Sequence, residues 1–348
     1  MKAVFLTDIR QVELRDEPEP PAPAAGEVLL EVESVGVCGS DMHYYRSGRI
    51  GSQIVEYPWR VGHEFSGRVL SVGEGVEHLR EGVRVAVDPL IVCGKCDQCL
   101  AGREHTCRNQ RFLGCPGQAP GCLAERVVMP AKCCFPVPET MTPDQAALVE
   151  PMSIGLYAQR LSGVSKGARV GVLGTGPIGL CVLAALKAAG EHTVYAADLL
   201  DNRLALAGQY DVDWTANAGD ANVVEDILQR EPNGLDVVFE CAGEQETLDE
   251  AVELLAPGGK LMIVGIPPAD RVGFDMNQMR RKELTLQNVR RQNECMEPTI
   301  ELMSDGTINI DSLVTHRFGI DQTAEAFDIV ADYRDGVIKA MIHVSAQR

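Results

Sequence analysis

The segment Gly174-Thr175-Gly176-Pro177-Ile178-Gly179 directly follows the apolar run 170–173 and opens a helical pattern over 177–189 that ends at Gly190. Strand, glycine turn and helix in that order constrain this chain more than any other feature it carries. Glycines permit the tight turn and let the main chain approach a pyrophosphate seated on the helix N-terminus. Asp198 stands at the end of the next apolar run, 193–197, where its carboxylate can accept hydrogen bonds from a ribose 2'-hydroxyl. The same charge repels a 2'-phosphate, so the spacing predicts NAD rather than NADP. Arg203 is a second candidate at the adenine ribose, the alternative being a solvated helix residue.

The surrounding pattern agrees. From residue 168 onward, strand signals at 170–173, 193–197, 236–240 and 260–264 alternate with helix signals at 177–189, 201–209 and 245–255. Such alternation predicts a parallel sheet with helices on both faces. Before residue 140 the style is different: strands at 28–37, 65–72 and 83–87, then a Cys-, Gly- and Pro-rich excursion over 88–126. An excursion that long needs a function or an internal cross-link. Between the two styles, Thr142-Pro143-Asp144-Gln145 reads as a helix start with a capping box. Because the residue before a proline is pushed out of the helical region, a break is expected at Glu150, with a second helix from Pro151 to about Gly163. The expected domains are 1–153, 154–290 and a tail, 291–348, packing back onto the first.

The cross-link is visible in the excursion itself. Of 12 cysteines, Cys93, Cys96, Cys99 and Cys107 are spaced C-x2-C-x2-C-x7-C. No export signal is apparent, so the expected compartment is the cytoplasm, where disulfides are rare and clustered cysteines bind metal. Four thiolates suit tetrahedral zinc in a closed structural site. Cys115, Cys122, Cys133, Cys134, Cys181, Cys241 and Cys295 read as small buried residues. The formal net charge of -18 argues against nucleic acid as a partner. No apolar run approaches the length of a membrane span.

A second set of metal-binding residue types is dispersed. Cys38 lies in Gly36-Val37-Cys38-Gly39-Ser40-Asp41, His63 and Glu64 in Gly62-His63-Glu64-Phe65-Ser66-Gly67, and Glu150 before Pro151. A catalytic zinc takes three protein ligands and keeps one open position. Adjacent strand residues point to opposite faces. His63 and Glu64 therefore reach one ion only where the backbone departs from a regular strand. From the residues alone, a shared site and a set of separately packed side chains are both open.

The order of these motifs resembles the zinc-dependent medium-chain dehydrogenase/reductase superfamily over nearly the whole chain. A narrower likeness to its sorbitol/xylitol (polyol) dehydrogenase branch rests on Cys38-Gly-Ser-Asp-Met-His43-Tyr44, Gly48-Arg49-Ile50-Gly51, Gly62-His63-Glu64, Glu150-Pro151-Met152-Ser153-Ile154-Gly155 and Thr315-His316-Arg317-Phe318. The resemblance implies an α/β protein: a GroES-like, mainly-β catalytic domain and a Rossmann doubly wound parallel-sheet cofactor domain. It implies NAD and two zinc ions per chain, one catalytic and one structural. Cys38, His63 and Glu64 are the first choice of catalytic ligands. Glu150 matches a position where many alcohol dehydrogenases place a cysteine ligand, so the third ligand is Glu64, Glu150 or either in turn. Ser40 and His43 become the proton relay, and Glu150 positions the zinc water or a hydroxyl. Tyr44, Glu150 and Arg290 become substrate contacts. Val264 and Val289 join Gly174, Gly176, Pro177, Ile178, Gly179, Asp198 and Arg203 around the cofactor.

The implied activity is reversible, NAD-linked oxidation of a polyol secondary hydroxyl to a ketose, in the xylitol or sorbitol class. Arg291 stands where an aromatic residue often follows the substrate-binding arginine. That departure keeps a sugar-acid dehydrogenase open, beside a vicinal-diol enzyme and a non-catalytic NAD-binding protein. The expected partners are a small polyol and further copies of the chain, as a homo-tetramer or homo-dimer.

Overall fold

The computed structural model describes residues 1–345 and resolves two compact units. The first comprises 1–150, 296–305 and 314 onward; the second comprises 151–295 and 306–313. The tail that the sequence treats as one returning segment is thus divided, with 306–313 grouped in the second unit.

The first unit is built around the strand Glu27–Gly36. Alternate residues Val28, Leu30, Val32 and Ser34 are buried, and burial becomes continuous at Val35 and Gly36. This change marks where a half-exposed strand enters the core. It pairs antiparallel with Glu64–Val72 along one edge. Arg126–Pro130 and Lys339–His343 share the other edge, the latter matching Met341 to Gly36 and Ile342 to Val35. Arg84–Val87 and Cys134–Pro136 extend the sheet on one side, and Val314–Gly319 on the other. Tyr45, Phe65, Leu123, Met129 and Phe327 fill the core beneath it. The excursion contributes a short antiparallel pair, Leu90–Ile91 with Arg111–Phe112, and the one-turn helix Asp97–Leu100.

The second unit is a six-stranded parallel sheet. Its spatial order is Trp214–Asn217, Thr193–Asp198, Arg169–Leu173, Leu235–Glu240, Leu255–Ile263, Thr285–Asn288. Numbered within the unit, this is the 3-2-1-4-5-6 order of doubly wound dinucleotide-binding sheets. The order reverses between Arg169–Leu173 and Leu235–Glu240, and the glycine turn leaves the first of these. The outermost strands, Trp214–Asn217 and Thr285–Asn288, were absent from the sequence reading. Each has only four residues and no fully buried position, so neither carries a strong apolar signal.

The expected break at Glu150 is corrected. One helix, Pro143–Ser162, runs through Pro151. Its start does carry the expected capping box: Gln145 N donates to Thr142 Oγ1 at 3.2 Å and Thr142 N to Gln145 Oε1 at 2.8 Å. Leu148, Val149, Met152 and Leu156 around the proline are at most 4% exposed. Burying such side chains contributes about 1.5–3 kcal/mol each, more in sum than the roughly 3 kcal/mol cost of an interior proline.

Candidate active site and metal centres

The four cysteines of the excursion converge. Their sulfurs lie within 4.8 Å of one another, with Cys96–Cys99 at 3.5 Å, Cys93–Cys107 at 3.5 Å and Cys96–Cys107 at 3.9 Å. Glycines in the left-handed region at Gly94 and Gly102 fold the chain around them. Backbone amides, Lys95 first, push the Cys93 thiol down to about 6, whereas burial and neighbouring sulfurs push Cys99 up to about 12. Four soft donors fill a tetrahedral ion's coordination, which fits structural zinc.

The dispersed set also converges. The Cys38 sulfur, one His63 ring nitrogen and one Glu64 oxygen lie within 4.8 Å of one another. Backbone geometry explains how two adjacent residues do this. Gly62 turns the chain at φ 93°, so His63 precedes the ladder, and Glu64 opens the strand Glu64–Val72 opposite Gly36. Both are buried, at 6% and 3% exposed. Thiolate, imidazole and carboxylate fit a three-ligand zinc site with an open position. Glu150 lies outside this cluster. It is buried on the long helix, and that burial pushes its carboxyl up to about 8; His63 and Lys339 oppose the shift, Glu64 and Asp88 add to it.

Three residues that the sequence reading did not single out support this set. Asp41, 1% exposed, sits 3.5 Å from His63 Nδ1 and accepts from Cys38 N at 3.2 Å and Gly62 N at 3.4 Å. A carboxylate behind a metal-binding imidazole fixes its tautomer and orientation. Burial lowers the His63 imidazole, but Asp41 and Cys38 override it, leaving it well above its ordinary value. The signal was available: Asp41 is the acid in the first turn of the helix Gly39–Ser47, which Cys38 caps. Lys339, 2% exposed, donates to Val37 O at 3.1 Å and to the Glu64 carboxylate. Gly36 makes room for that pair, since a Cβ there would lie 2.4 Å from Glu64 Oε2 and 2.9 Å from Lys339 Cε. No local signal links residues 36, 64 and 339.

Around the cluster, Ser40 Oγ donates to Cys38 Sγ at 3.3 Å and lies 3.5 Å from His63 Nε2. His43 follows on the same helix, its imidazole held below the ordinary value by burial and then by Arg46. The Tyr44 hydroxyl donates to Gln53 Oε1 at 3.2 Å and Cys115 Sγ at 3.7 Å. Arg290 is an exposed residue of the second unit.

In the second unit the glycine turn has the tight packing its sequence predicts. A Cβ on Gly174, at φ 89°, would lie 2.7 Å from Ala242 N, and one on Gly179 would lie 2.0 Å from Gly174 O. Gly176 caps the helix Pro177–Ala189, and Gly176, Pro177 and Ile178 are half-buried, leaving the helix N-terminus open. Asp198 accepts from Thr175 N at 2.7 Å and Leu200 N at 3.0 Å, and Arg203 Nη1 lies 3.5 Å from it. Val264 N donates to Glu240 O and Val289 N to Ile263 O, both at 2.8 Å, which places both valines at the carboxyl edge of the sheet.

Residues 24–139 match the alcohol dehydrogenase GroES-like domain, and residues 177–305 match the zinc-binding dehydrogenase family. A sorbitol dehydrogenase of Bacillus subtilis strain 168 is 32% identical over 344 residues, 99% of this chain and 97% of that protein. An L-idonate 5-dehydrogenase of Vitis vinifera is 32% identical over 326 residues, 91% and 88% of the two chains. The structure of an alcohol dehydrogenase from Escherichia coli CFT073 in complex with NADH superposes with a TM-score of 0.90 at 31% identity, covering 99% of both chains. Fold and site together define a zinc-dependent dehydrogenase, and the chain belongs to the zinc-dependent medium-chain dehydrogenase/reductase superfamily. Within it, the chain falls in the polyol dehydrogenase branch. Among the described residues no helix is long and apolar enough to cross a membrane.

Proposed function

We propose that this protein oxidises a secondary hydroxyl of a polyol of the xylitol or sorbitol class to the ketose, reducing NAD to NADH and releasing one proton. The observation that carries this reading is the convergence of half-buried Cys38 with buried His63 and Glu64, and buried Glu150 on the neighbouring helix. Cys38, His63 and Glu64 hold the catalytic zinc; Cys93, Cys96, Cys99 and Cys107 hold the structural one. The catalytic ion, when bound, supplies Lewis acidity that eases loss of a hydroxyl proton. NAD, held at the glycine loop, would supply the hydride acceptor.

The chain's own residues do the rest. Asp41 holds the His63 ring from behind. Ser40, already in reach of Cys38 and His63, takes the proton leaving the substrate hydroxyl. His43, kept neutral near pH 7, receives it next. Glu150, buried on the long helix, hydrogen-bonds the reacting hydroxyl. Tyr44 binds a further substrate hydroxyl. Gly174, Gly176, Pro177, Ile178 and Gly179 cradle the pyrophosphate, Asp198 and Arg203 hold the adenine ribose, and Val264 and Val289 flank the nicotinamide half. The assembly is a cytoplasmic homo-tetramer or homo-dimer, as its branch suggests.

A second reading, a sugar-acid dehydrogenase, is favoured by the adjacent guanidinium groups of Arg290 and Arg291, the latter held at φ 54°. The test is NADH formation by zinc-loaded protein with xylitol, sorbitol, butanediol, L-idonate and a primary alcohol. Turnover with the pentitol or hexitol is expected. Turnover confined to L-idonate overturns the polyol reading in favour of the second.

A further inference from the structure

Glu240 ends the strand Leu235–Glu240 at the carboxyl edge of the parallel sheet and is 0% exposed. Its register neighbours on the two flanking strands, Leu173 and Ile263, are apolar. Burying a carboxyl among such neighbours is costly unless the protein supplies its hydrogen bonds. Here it does. Glu240 Oε1 accepts from Ala242 N at 2.8 Å, Gly243 N at 2.6 Å and Thr247 Oγ1 at 2.9 Å. The Glu240 carbonyl accepts from Val264 N at 2.8 Å and Gly265 N at 2.9 Å. Glu240 Oε2 is buried without a hydrogen-bond partner. It is closed off by a glycine: a Cβ on Gly265 would lie 2.9 Å from Oε2 and 2.4 Å from Gly243 N.

One residue therefore joins two crossover turns, 241–243 and 264–266. The first of these supports the glycine loop, because Ala242 N fills the space beside Gly174. The second carries Val264. Both turns lie at the carboxyl ends of the strands, the edge where doubly wound sheets bind their ligands, and 241–243 flanks the reversal of strand order.

We propose that Glu240 is a positioning residue for the dinucleotide: its carboxyl locks the two turns against the glycine loop, so that NAD meets a preformed floor. The inference rests on the NAD reading of that loop. Preorganisation of this kind is expressed as affinity, because the free protein need not order the turns on binding.

The test uses the zinc-loaded full-length protein and measures NADH affinity by fluorescence titration, with zinc content, thermal midpoint, kcat and KM for NAD. Glu240→Ala should weaken NADH binding by about ten-fold or more and raise KM for NAD in parallel, the loss of more than one net hydrogen bond. Its kcat should stay within about three-fold of the parent, because the chemistry lies elsewhere. Glu240→Gln keeps an acceptor at the Oε1 position and should bind NADH within about three-fold of the parent. Thr247→Val removes one donor and leaves the carboxyl in place; a two- to three-fold weakening, on the order of half a net hydrogen bond, is expected. It serves where the alanine variant does not fold. A lower midpoint with unchanged NADH affinity in Glu240→Ala, or unchanged affinity in Thr247→Val, overturns the inference. A parent protein that binds no NADH overturns the NAD reading, and this inference with it.

Discussion

Asp41 and Lys339 reach different ligands of the metal cluster, His63 and Glu64, and they act by different physics. Asp41 orients a ligand. In Asp41→Asn the shape is kept and the charge is lost, so zinc affinity at the Cys38 site should fall by about 10–100-fold. The zinc of the cysteine lobe should be unaffected, since Asp41 takes no part in it. Competition with a chromophoric chelator, counting ions released per chain, checks both. Lys339 instead neutralises a ligand. Both partners of the Lys339–Glu64 pair are almost fully buried, with side chains 2% and 4% exposed. Removing one partner of such a pair leaves an uncompensated buried charge, at a cost of about 3–5 kcal/mol. Lys339→Met should show a loss of that size in urea unfolding of zinc-depleted protein at pH 7. Lys339→Arg should recover most of it, and a methionine variant as stable as the parent would count against the pair as drawn.

At the scale of elements, the parts of the chain that could be read in advance are those whose signals are local. The glycine turn needed only six residues and the strand before it. The cysteine lobe needed only its spacing. The lobe also makes a simple prediction: Cys99→Ser should lower bound zinc from two ions per chain to one. It should also expose 93–107 to limited proteolysis, while the Cys38 site keeps its metal. Retention of two ions would show that three thiolates suffice. Signals that depend on packing were read wrongly or not at all. A proline predicted a helix end that burial overrode, and two four-residue edge strands lacked enough buried positions to show a period. From the residues alone, His63 and Glu64 could share one metal only where the backbone departs from a regular strand, which left a shared site open. Gly62, at φ 93°, supplies that departure from regularity.

At the scale of the whole molecule, the first unit is held together by contacts that no window of sequence contains. Asp144, in the first turn of the long helix, accepts from Ser34 Oγ at 2.7 Å, Arg317 Nε at 2.8 Å and His343 Nε2 at 2.9 Å. One carboxylate thus ties the helix to three strands, Glu27–Gly36, Val314–Gly319 and Lys339–His343. Arg317 belongs to the Thr-His-Arg-Phe motif, so this contact gives that motif a structural role. Burial raises the Asp144 carboxyl, but Ser34, His343 and Arg317 together outweigh it and hold the group below its ordinary value. A carboxyl lowered by folding contributes stability above its unfolded pKa and loses it as pH falls through the folded value. Asp144→Asn should therefore cost stability at pH 7, about 1.5–3 kcal/mol for hydrogen bonds to a charged group. The gap between parent and variant should begin to close near pH 5 and go on closing as the pH falls past about 4, the unfolded aspartate value, towards the lower folded one. The chain's two tryptophans, Trp59 and Trp214, fall one in each unit. In a Trp214→Phe background the remaining fluorescence reports the first unit alone, so its unfolding can be followed from pH 7 to pH 3. A gap that stays constant over that range would mean that Asp144 acts through shape rather than charge.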